Sequence, residues 1–186
     1  MDWQKRLPMQ LTYARMALTA PILLCLWVGG TLCNALAAAL FLLASITDYY
    51  DGYFARKYSA ISNLGKFMDP IADKILVTSV LTWMISTDQV DPWMVILLTL
   101  RDTFVGGIRS VAAADGVVIA ARSAGKWKTG VQMGAIPALM LYDEPVSWTH
   151  LSWGLLAYAL LWLSVILSLG SGVQYYLAYT RSRGFT

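Results

Sequence analysis

Apolar residues in this chain are gathered into six long runs that are separated by short polar segments. A helix that crosses the hydrocarbon core of a bilayer needs about 20 predominantly apolar residues. The pattern therefore predicts an all-α integral membrane protein with six transmembrane helices, the fifth of them short. Before the first run, residues 1–8 are expected to form a short interfacial segment with Trp3 at headgroup depth. The six runs cover approximately residues 8–29, 33–57, 67–86, 92–114, 127–142 and 150–178.

The composition favours the same class of protein. Of the 186 residues, 58% are hydrophobic and only 13% are charged, whereas a soluble domain has about a quarter of its residues charged. Lys5 and Arg6 before an apolar run imitate a signal peptide, but the further runs that follow favour a retained first helix. No repeat or change of composition divides the chain, so we expect a single domain over residues 1–186.

The basic residues predict the orientation of the helices in the membrane. Cytoplasmic loops carry an excess of Lys and Arg, and Lys5 and Arg6 place the N-terminus in the cytoplasm. Threading six helices from there puts both termini in the cytoplasm and leaves the outer connections with Asp88, Asp91, Asp143 and Glu144 but no basic residue. The cytoplasmic ends then hold Arg15, Arg56, Lys57, Lys66, Lys74, Arg109, Arg122, Lys126, Lys128, Arg181 and Arg183.

Four acidic residues lie where the second run ends and the third begins. Asp48 and Asp51 are three residues apart, and Asp69 and Asp73 are four apart, so each pair shares one face of a helix. The connection between the two runs is short, which predicts antiparallel neighbours whose four carboxylates converge at one depth. Because ionised acids in a membrane helix cost about 2.5–3.5 kcal/mol each on insertion scales, this cluster needs a compensating charge.

The residue types indicate what that charge is. A set of carboxylates without His or Cys suits the hard ions Mg²⁺ or Mn²⁺, and two such ions would offset most of the negative charge. Two-metal sites of this kind stabilise the attacking and leaving oxygens of a phosphoryl displacement. From the residues alone, a salt-bridge network with nearby basic residues and an ion-coupled transporter stay open. A transporter would place its acids near the bilayer midplane and show inverted repeats.

The spacing of these residues resembles the signature of the CDP-alcohol phosphotransferase family. The pattern is Asp48-x2-Asp51-Gly52-x2-Ala55-Arg56-x8-Gly65-x3-Asp69-x3-Asp73. The resemblance implies a six-helix, usually dimeric membrane enzyme whose active site opens to the cytoplasm and which displaces CMP from a CDP-linked donor. It implies that all four aspartates lie at the metal ions, with Asp73 as the general base on the acceptor hydroxyl. It also implies a CDP site formed by Asp48, Asp51, Gly52, Ala55, Arg56 and Gly65.

Outside the signature, the chain resembles bacterial members that transfer a phosphatidyl group from CDP-diacylglycerol to glycerol 3-phosphate in the inner membrane. This likeness rests on Pro8-x2-Leu11-Thr12-x2-Arg15, on Leu100-Arg101-Asp102 with Ile108-Arg109-Ser110, and on the stretch Ser123–Thr129. It adds Thr12 to the implied CDP contacts. The chain departs from it at Met9, where many relatives have Asn, and at Asp102, where Glu is usual.

A phosphorylated acceptor requires a cationic pocket. Arg101 and Arg109 are eight residues apart on the fourth run, about two turns and hence roughly one face, and Arg101 is expected to pair with Asp102 or to have a functional role. With Lys126 and Lys128, they are the candidate ligands of the acceptor phosphate, although both lysines would also satisfy the positive-inside rule alone. The alternative within the family is a cardiolipin synthase that uses phosphatidylglycerol as acceptor. No nucleic-acid partner is expected.

Overall fold

A computed structural model describes residues 3–57, 63–114, 123–142 and 153–182, and these residues form six α-helices and no strand. The six predicted helices are thereby confirmed as helices, although three of them begin about a turn earlier than their apolar runs. The early starts arise because polar helix-forming residues extend a helix beyond its apolar part. The helices are α1 (Trp3–Val28), α2 (Thr31–Lys57), α3 (Asn63–Ile85), α4 (Pro92–Ala114), α5 (Ser123–Met140) and α6 (Trp153–Ser182).

The N-terminal segment differs from the expectation. Its described residues do not form a separate stretch before the first helix, because α1 is continuous from Trp3 through Pro8 to Val28. Pro8 lies in the second turn, where the loss of one backbone N–H removes a single helical hydrogen bond. The location of this first part of α1 at a membrane surface stays a prediction.

Two compact units make up the chain. Unit 1 comprises Met1–Gln89 and Ile136–Pro145, and unit 2 comprises Val90–Ala135 and Val146–Thr186. In unit 1, α1 packs against both α2 and α3, and in unit 2, α4 packs against α6. The helix α5 contributes its first part to unit 2 and its last turn to unit 1.

The turn between α1 and α2 depends on two glycines. Gly29 and Gly30 have φ angles of 69° and 85°, in the left-handed region that side chains other than glycine rarely adopt. The Gly29 N–H donates to the Cys25 carbonyl at 3.0 Å, which closes the end of α1 in the αL form of helix cap. The chain thus reverses within two residues, so α1 and α2 form an antiparallel hairpin with Ile22 and Phe41 fully buried.

The end of α3 is closed by Asp88 in place of the usual glycine. Asp88 has a φ of 55°, its N–H donates to the Ile85 carbonyl at 3.2 Å, and the next N–H, of Gln89, donates to the Met84 carbonyl at 3.1 Å. This pair of bonds is the Schellman cap. The Gln89 side chain then donates to the carbonyls of Leu139 and Tyr142, so one amide group links the ends of α3 and α5 within unit 1.

The helices α4 and α6 run in the same direction within unit 2. Arg101 of α4 contacts Ser168 and Ser171 of α6, and Arg109, two turns later, contacts Tyr175. Residue numbers therefore rise together along both helices. A parallel fourth and sixth helix is what the predicted alternation of six membrane crossings requires, although the contact alone does not establish those crossings.

In the part of the chain that the structure describes, two helical segments are long and apolar enough to cross a membrane. They are Met9–Val28 and Trp153–Arg181, with mean hydropathies of 1.5 and 1.9. Large apolar side chains on both face outward, including Leu24, Trp27 and Ile166, which are 59–69% exposed. Thr31–Thr47 and Lys74–Ile85 are shorter apolar segments. These outward apolar faces suit contact with lipid better than contact with water.

Candidate active site

The signature residues lie on two helices of unit 1. Asp48 and Asp51 belong to the C-terminal part of α2, and Asp69 and Asp73 to the first half of α3. Since the backbone is helical at all four positions, the spacings of three and four residues place each pair on one helix face, as predicted. Gly52, Ala55 and Arg56 follow in the last turns of α2, and Gly65 lies in the first turn of α3.

The side chains of residues 48–57, 63–70 and 73 lie outside the described part of the structure, as does the connection at 58–62. The convergence of the four carboxylates, their ligation of metal ions and the CDP contacts of Gly52, Ala55, Arg56 and Gly65 therefore stay predictions. Among the described residues there is no group of three or more His, Cys, Asp or Glu side chains that could hold a metal ion. The signature set fits a hard divalent ion by its donor chemistry, which is carboxylate oxygen throughout.

A row of buried polar side chains lies on α1, the helix that packs against both α2 and α3. Thr12 is 0% exposed, Arg15 is 1% exposed and Thr19 is 6% exposed, and their spacing of three and four residues places them on one face. The Thr19 hydroxyl donates to the Arg15 carbonyl at 3.4 Å. Thr12, the predicted CDP contact of α1, is therefore on the face that is buried in unit 1. Met9, one turn earlier, is half-buried.

Arg15 is a candidate site residue to which the sequence analysis gave no functional role, although it counted Arg15 among the charges of the cytoplasmic end and in the motif of α1. It is among the largest fully buried side chains. A guanidinium inside a protein needs acceptors or an anion, and the two helices against which α1 packs carry the four signature acids. Its position in the middle of an apolar run was the available signal, because ionisable groups in membrane helices are functional candidates by default.

The predicted acceptor residues of α4 and α5 occur in unit 2, where Arg101 is directed at α6. Its Nε donates to the Ser168 carbonyl at 2.9 Å, and its Nη2 donates to the Ser171 hydroxyl at 2.6 Å. Its Nη1 donates to Asp102 at 2.7 Å, which confirms the expected pairing of these neighbours. The Ser171 hydroxyl in turn donates to the Ser168 carbonyl at 2.9 Å.

Asp102 joins α4 to α5. Lys128 Nζ donates to both carboxylate oxygens of Asp102 at 2.9 Å, and the Lys128 side chain is only 8% exposed. The structure thus brings two of the predicted acceptor residues, Arg101 and Lys128, to one carboxylate. The side chain of Lys126, two residues earlier in α5, lies outside the described residues.

Arg109 lies apart from that carboxylate. Its Nε donates to the Tyr175 hydroxyl at 3.3 Å, and its guanidinium carbon lies 5.3 Å from the centre of the Tyr175 ring, within the range of a cation–π contact. Arg101 and Arg109 both contact α6, so their predicted common face on α4 is confirmed. Eight residues of helix separate them by about 12 Å along the axis, and Arg109 itself is exposed.

The chain was also compared with known proteins. The sequence profile of the family described as CDP-alcohol phosphatidyltransferase matches residues 5–170. A protein of Rickettsia bellii named CDP-diacylglycerol–glycerol-3-phosphate 3-phosphatidyltransferase is 36% identical over 178 residues, which are 96% of this chain and 97% of that protein. A protein of the same name from Bacillus subtilis is 42% identical over 139 residues, 75% of this chain and 70% of that protein. A third protein of that name, from Mycoplasma pneumoniae, is 34% identical over 152 residues, 72% of this chain and 67% of that protein.

The matched region includes α1 to α5 almost completely and more than half of α6. It therefore contains both the signature helices and the basic residues of unit 2. Enzymes of this family are membrane-bound and generally use divalent metal ions, in agreement with the apolar helices and the carboxylate signature. The chain belongs to the CDP-alcohol phosphatidyltransferase family.

Proposed function

We propose that this chain transfers the phosphatidyl group of CDP-diacylglycerol to a hydroxyl of glycerol 3-phosphate, a step of phospholipid biosynthesis that yields phosphatidylglycerophosphate and CMP. The observation that carries the proposal is the eight-position signature on α2 and α3 in a chain that aligns over 96% of its length with a relative named for this activity. The family match and the names of the other relatives support the same reaction.

The reaction exchanges one phosphate ester bond for another. The acceptor oxygen forms a bond to the phosphorus that carries the diacylglycerol, the bond from that phosphorus to the CMP oxygen breaks, and the acceptor proton passes to a base. Asp73 is the proposed base, and Asp48, Asp51 and Asp69 with Asp73 would hold Mg²⁺ or Mn²⁺, two ions in all. Bound divalent ions would neutralise the diphosphate and so make CMP a better leaving group.

The remaining signature residues are assigned to the CDP moiety. Gly52, Ala55 and Gly65 leave space for the nucleotide to approach the backbone, and Arg56 would contact the diphosphate. Thr12 would reach the same site from the buried face of α1. The packing of α1 against both α2 and α3 supports this assignment, because it brings the Thr12 face to the helices of the signature.

The basic region of unit 2 is assigned to the acceptor. A phosphate that is not part of the donor requires a region of positive charge, and Arg101, Arg109, Lys126 and Lys128 contribute such charge from α4 and α5, by direct contact or through a neighbouring residue. A neutral alcohol such as inositol or the head group of phosphatidylglycerol would use fewer of these charges. The concentration of basic residues on these helices therefore supports glycerol 3-phosphate.

The enzyme is proposed to be a homodimer in the bacterial inner membrane, one domain per chain, with six transmembrane helices and both termini in the cytoplasm. The positive-inside distribution and the parallel α4 and α6 support this topology. The first turns of α1 would lie in the interface, and the active site would face the cytoplasm, where a charged acceptor is available. In a background where Ser replaces Cys25 and Cys33, a cysteine at residue 88 should react with a membrane-impermeant label added to intact spheroplasts, whereas a cysteine at residue 183 should react only after the membrane is opened. Labelling of both in intact spheroplasts would contradict the topology.

The activity is tested with purified enzyme in detergent micelles that contain CDP-diacylglycerol, Mg²⁺ or Mn²⁺, and one acceptor at a time. The panel contains glycerol 3-phosphate, phosphatidylglycerol, inositol and serine, and the measured product is CMP. We expect release with glycerol 3-phosphate that stops when EDTA removes the metal. Release with phosphatidylglycerol alone would indicate a cardiolipin synthase, and the absence of release with every acceptor would refute the enzyme assignment.

A further inference from the structure

The basic residues of unit 2 differ in their hydrogen-bond partners, and those of Arg101 are all within the protein. Each nitrogen of its guanidinium donates to an acceptor of the protein: Nε to the Ser168 carbonyl, Nη2 to Ser171 and Nη1 to Asp102. Two of these acceptors belong to α6. The planar fork of an arginine is therefore used here to join α4 to α6.

The packing around Arg101 supports that role. A Cβ atom built on Gly172 would lie 3.2 Å from Arg101 Cγ and 3.5 Å from Nε, so α6 approaches the stem of this side chain so closely that an added methyl group would have to displace it by a few tenths of an ångström. With 15% of its side chain exposed, Arg101 is enclosed by α6 and by its own carboxylate partner. It is positioned as an anchor between helices.

Lys128 is held by the other end of the same network. Its Nζ donates at 2.9 Å to both oxygens of Asp102, and its side chain is 8% exposed. A lysine has a long flexible stem, and its ammonium group carries three donors. Both oxygens belong to one carboxylate and so lie on the same side of Nζ, and at least one N–H of the ammonium group is therefore directed away from Asp102, where it can donate to another acceptor.

We infer that Asp102 is a positioning residue for the acceptor phosphate: it fixes the ammonium group of Lys128 for phosphate binding and is itself anchored to α6 through Arg101. In this arrangement Lys128 contacts the phosphate, Asp102 acts through Lys128, and Arg101 acts through Asp102. The inference rests on the proposed function, because it assigns roles within the acceptor region of that same enzyme.

The charges explain why the carboxylate is needed. Two cations from α4 and α5 meet at Asp102, and without the acid they would repel each other in an apolar environment, where desolvation already penalises each charge. An amide at this position would offer one acceptor oxygen where the carboxylate offers two. Lys128 would then lose its fixed direction, and the acceptor would lose a preorganised donor.

The test measures steady-state kinetics of CMP release with both substrates varied. Asp102→Asn should raise the KM for glycerol 3-phosphate about tenfold, the equivalent of one charge-assisted hydrogen bond of about 1.4 kcal/mol, with the KM for CDP-diacylglycerol within about twofold. Asp102→Glu, which keeps the charge, should recover most of the loss. In a Lys128→Gln background, Asp102→Asn should add less than about twofold, because its effect passes through Lys128.

The matched control is Asp91→Asn. Asp91 lies at the start of the same helix and accepts a hydrogen bond from the Trp93 N–H at 3.0 Å, so its replacement removes an acidic charge from α4 without touching the Asp102 network. Both KM values and kcat should stay within about twofold of the wild type, since a helix cap affects mainly stability.

Three results would overturn the inference: equal rises in both KM values, a fall in kcat with both KM values unchanged, or a full effect of Asp102→Asn in the Lys128→Gln background. If Asp102→Asn does not yield folded protein, the decision passes to Lys128→Gln, which removes the donor that Asp102 positions. It should raise the KM for glycerol 3-phosphate about tenfold and leave the KM for CDP-diacylglycerol within about twofold, and an unchanged KM for glycerol 3-phosphate would count against the inference. If the wild-type enzyme releases no CMP in response to glycerol 3-phosphate, the proposed function itself is refuted.

Discussion

Charged residues occur within apolar helices in both units, but their surroundings differ. In unit 1, the four signature aspartates of α2 and α3 carry a single sign of charge, and Arg15 is buried on the adjoining helix α1. In unit 2, acid and base alternate in one network, in which Asp102 accepts from both Arg101 and Lys128. The first set has an excess of negative charge, whereas in the second the Asp102 carboxylate compensates one of the two positive charges of Arg101 and Lys128.

This difference separates two kinds of chemistry. A set of carboxylates with excess charge binds a compensating cation, and it suits catalysis on a diphosphate that carries negative charge of its own. A compensated network is rigid, and it can hold one donor in a fixed direction without a large net charge. We therefore expect substitutions in α3 to act on the rate of the chemical step, and substitutions in the α4–α6 contact to act on stability and on acceptor affinity.

The largest effect is predicted for Asp73→Asn. If Asp73 removes the acceptor proton, kcat should fall about 10²–10⁴-fold, the range typical of a lost general base, while the protein still binds metal through Asp48, Asp51 and Asp69. The measurement is CMP release at saturating substrates, together with isothermal titration of Mn²⁺. A matched control is Asp88→Asn, which changes an exposed acid just after the end of α3 and should leave kcat unaltered.

Near-wild-type release by Asp73→Asn with intact metal binding would remove Asp73 from the role of base. The assignment of the chemical step to the aspartates of unit 1 would then lose its support from Asp73. A loss of both CMP release and metal titration would instead assign Asp73 to the metal set alone.

The signature and the network also differ in how far the sequence predicts them. The helical spacing of the aspartates follows from residues that are close in the chain, and so does the pairing of Arg101 with Asp102. The bonds of Lys128 to Asp102 and of Arg101 to Ser171 join residues 26 and 70 positions apart. Such contacts depend on which helices pack together, and a hydrophobic pattern does not specify that.

The same limit applies to the ends of the helices and to the buried face of α1. The six apolar runs predict six helices. They do not predict the cap at Asp88, because this position has a left-handed backbone conformation that glycine usually occupies. The link from Gln89 to the end of α5 joins residues 50 positions apart. The burial of Arg15 depends on the packing of α1 against both α2 and α3, and the apolar pattern does not specify that packing.

A smaller effect is predicted for substitutions of two glycines in α6, which test the network of Arg101, Asp102 and Lys128 in unit 2. Gly172→Ala should destabilise the protein by about 1–3 kcal/mol, the usual cost of overpacking, because its Cβ would lie 3.2 Å from Arg101 Cγ. The control is Gly170→Ala on the same helix, where a Cβ meets no atom of the described structure within 4 Å. That change should be neutral or stabilising by up to about 1 kcal/mol.

Thermal unfolding in detergent measures both glycine variants, with the Tm of each compared at one protein and detergent concentration. Equal Tm values for the two would show that the close contact of Arg101 with α6 does not form as described. The anchoring of Asp102 through Arg101 would then lose its structural basis.

The smallest effect is predicted for Arg109→Ala, which asks whether acceptor binding extends beyond the compensated network. Arg109 is exposed, so solvent screens its charge and limits its contribution to well under that of a buried pair. We expect the KM for glycerol 3-phosphate to rise about threefold and that for CDP-diacylglycerol to stay unchanged. Arg181→Ala, which removes an exposed charge in the last turn of α6, is the control and should alter neither value.

Because Arg109 also lies over Tyr175, Tyr175→Phe separates orientation from charge: it keeps the ring, removes the hydroxyl acceptor, and should give a smaller rise than Arg109→Ala. Equal rises in both KM values for Arg109→Ala would place Arg109 outside the acceptor region and leave Lys128 as the proposed phosphate contact of that region.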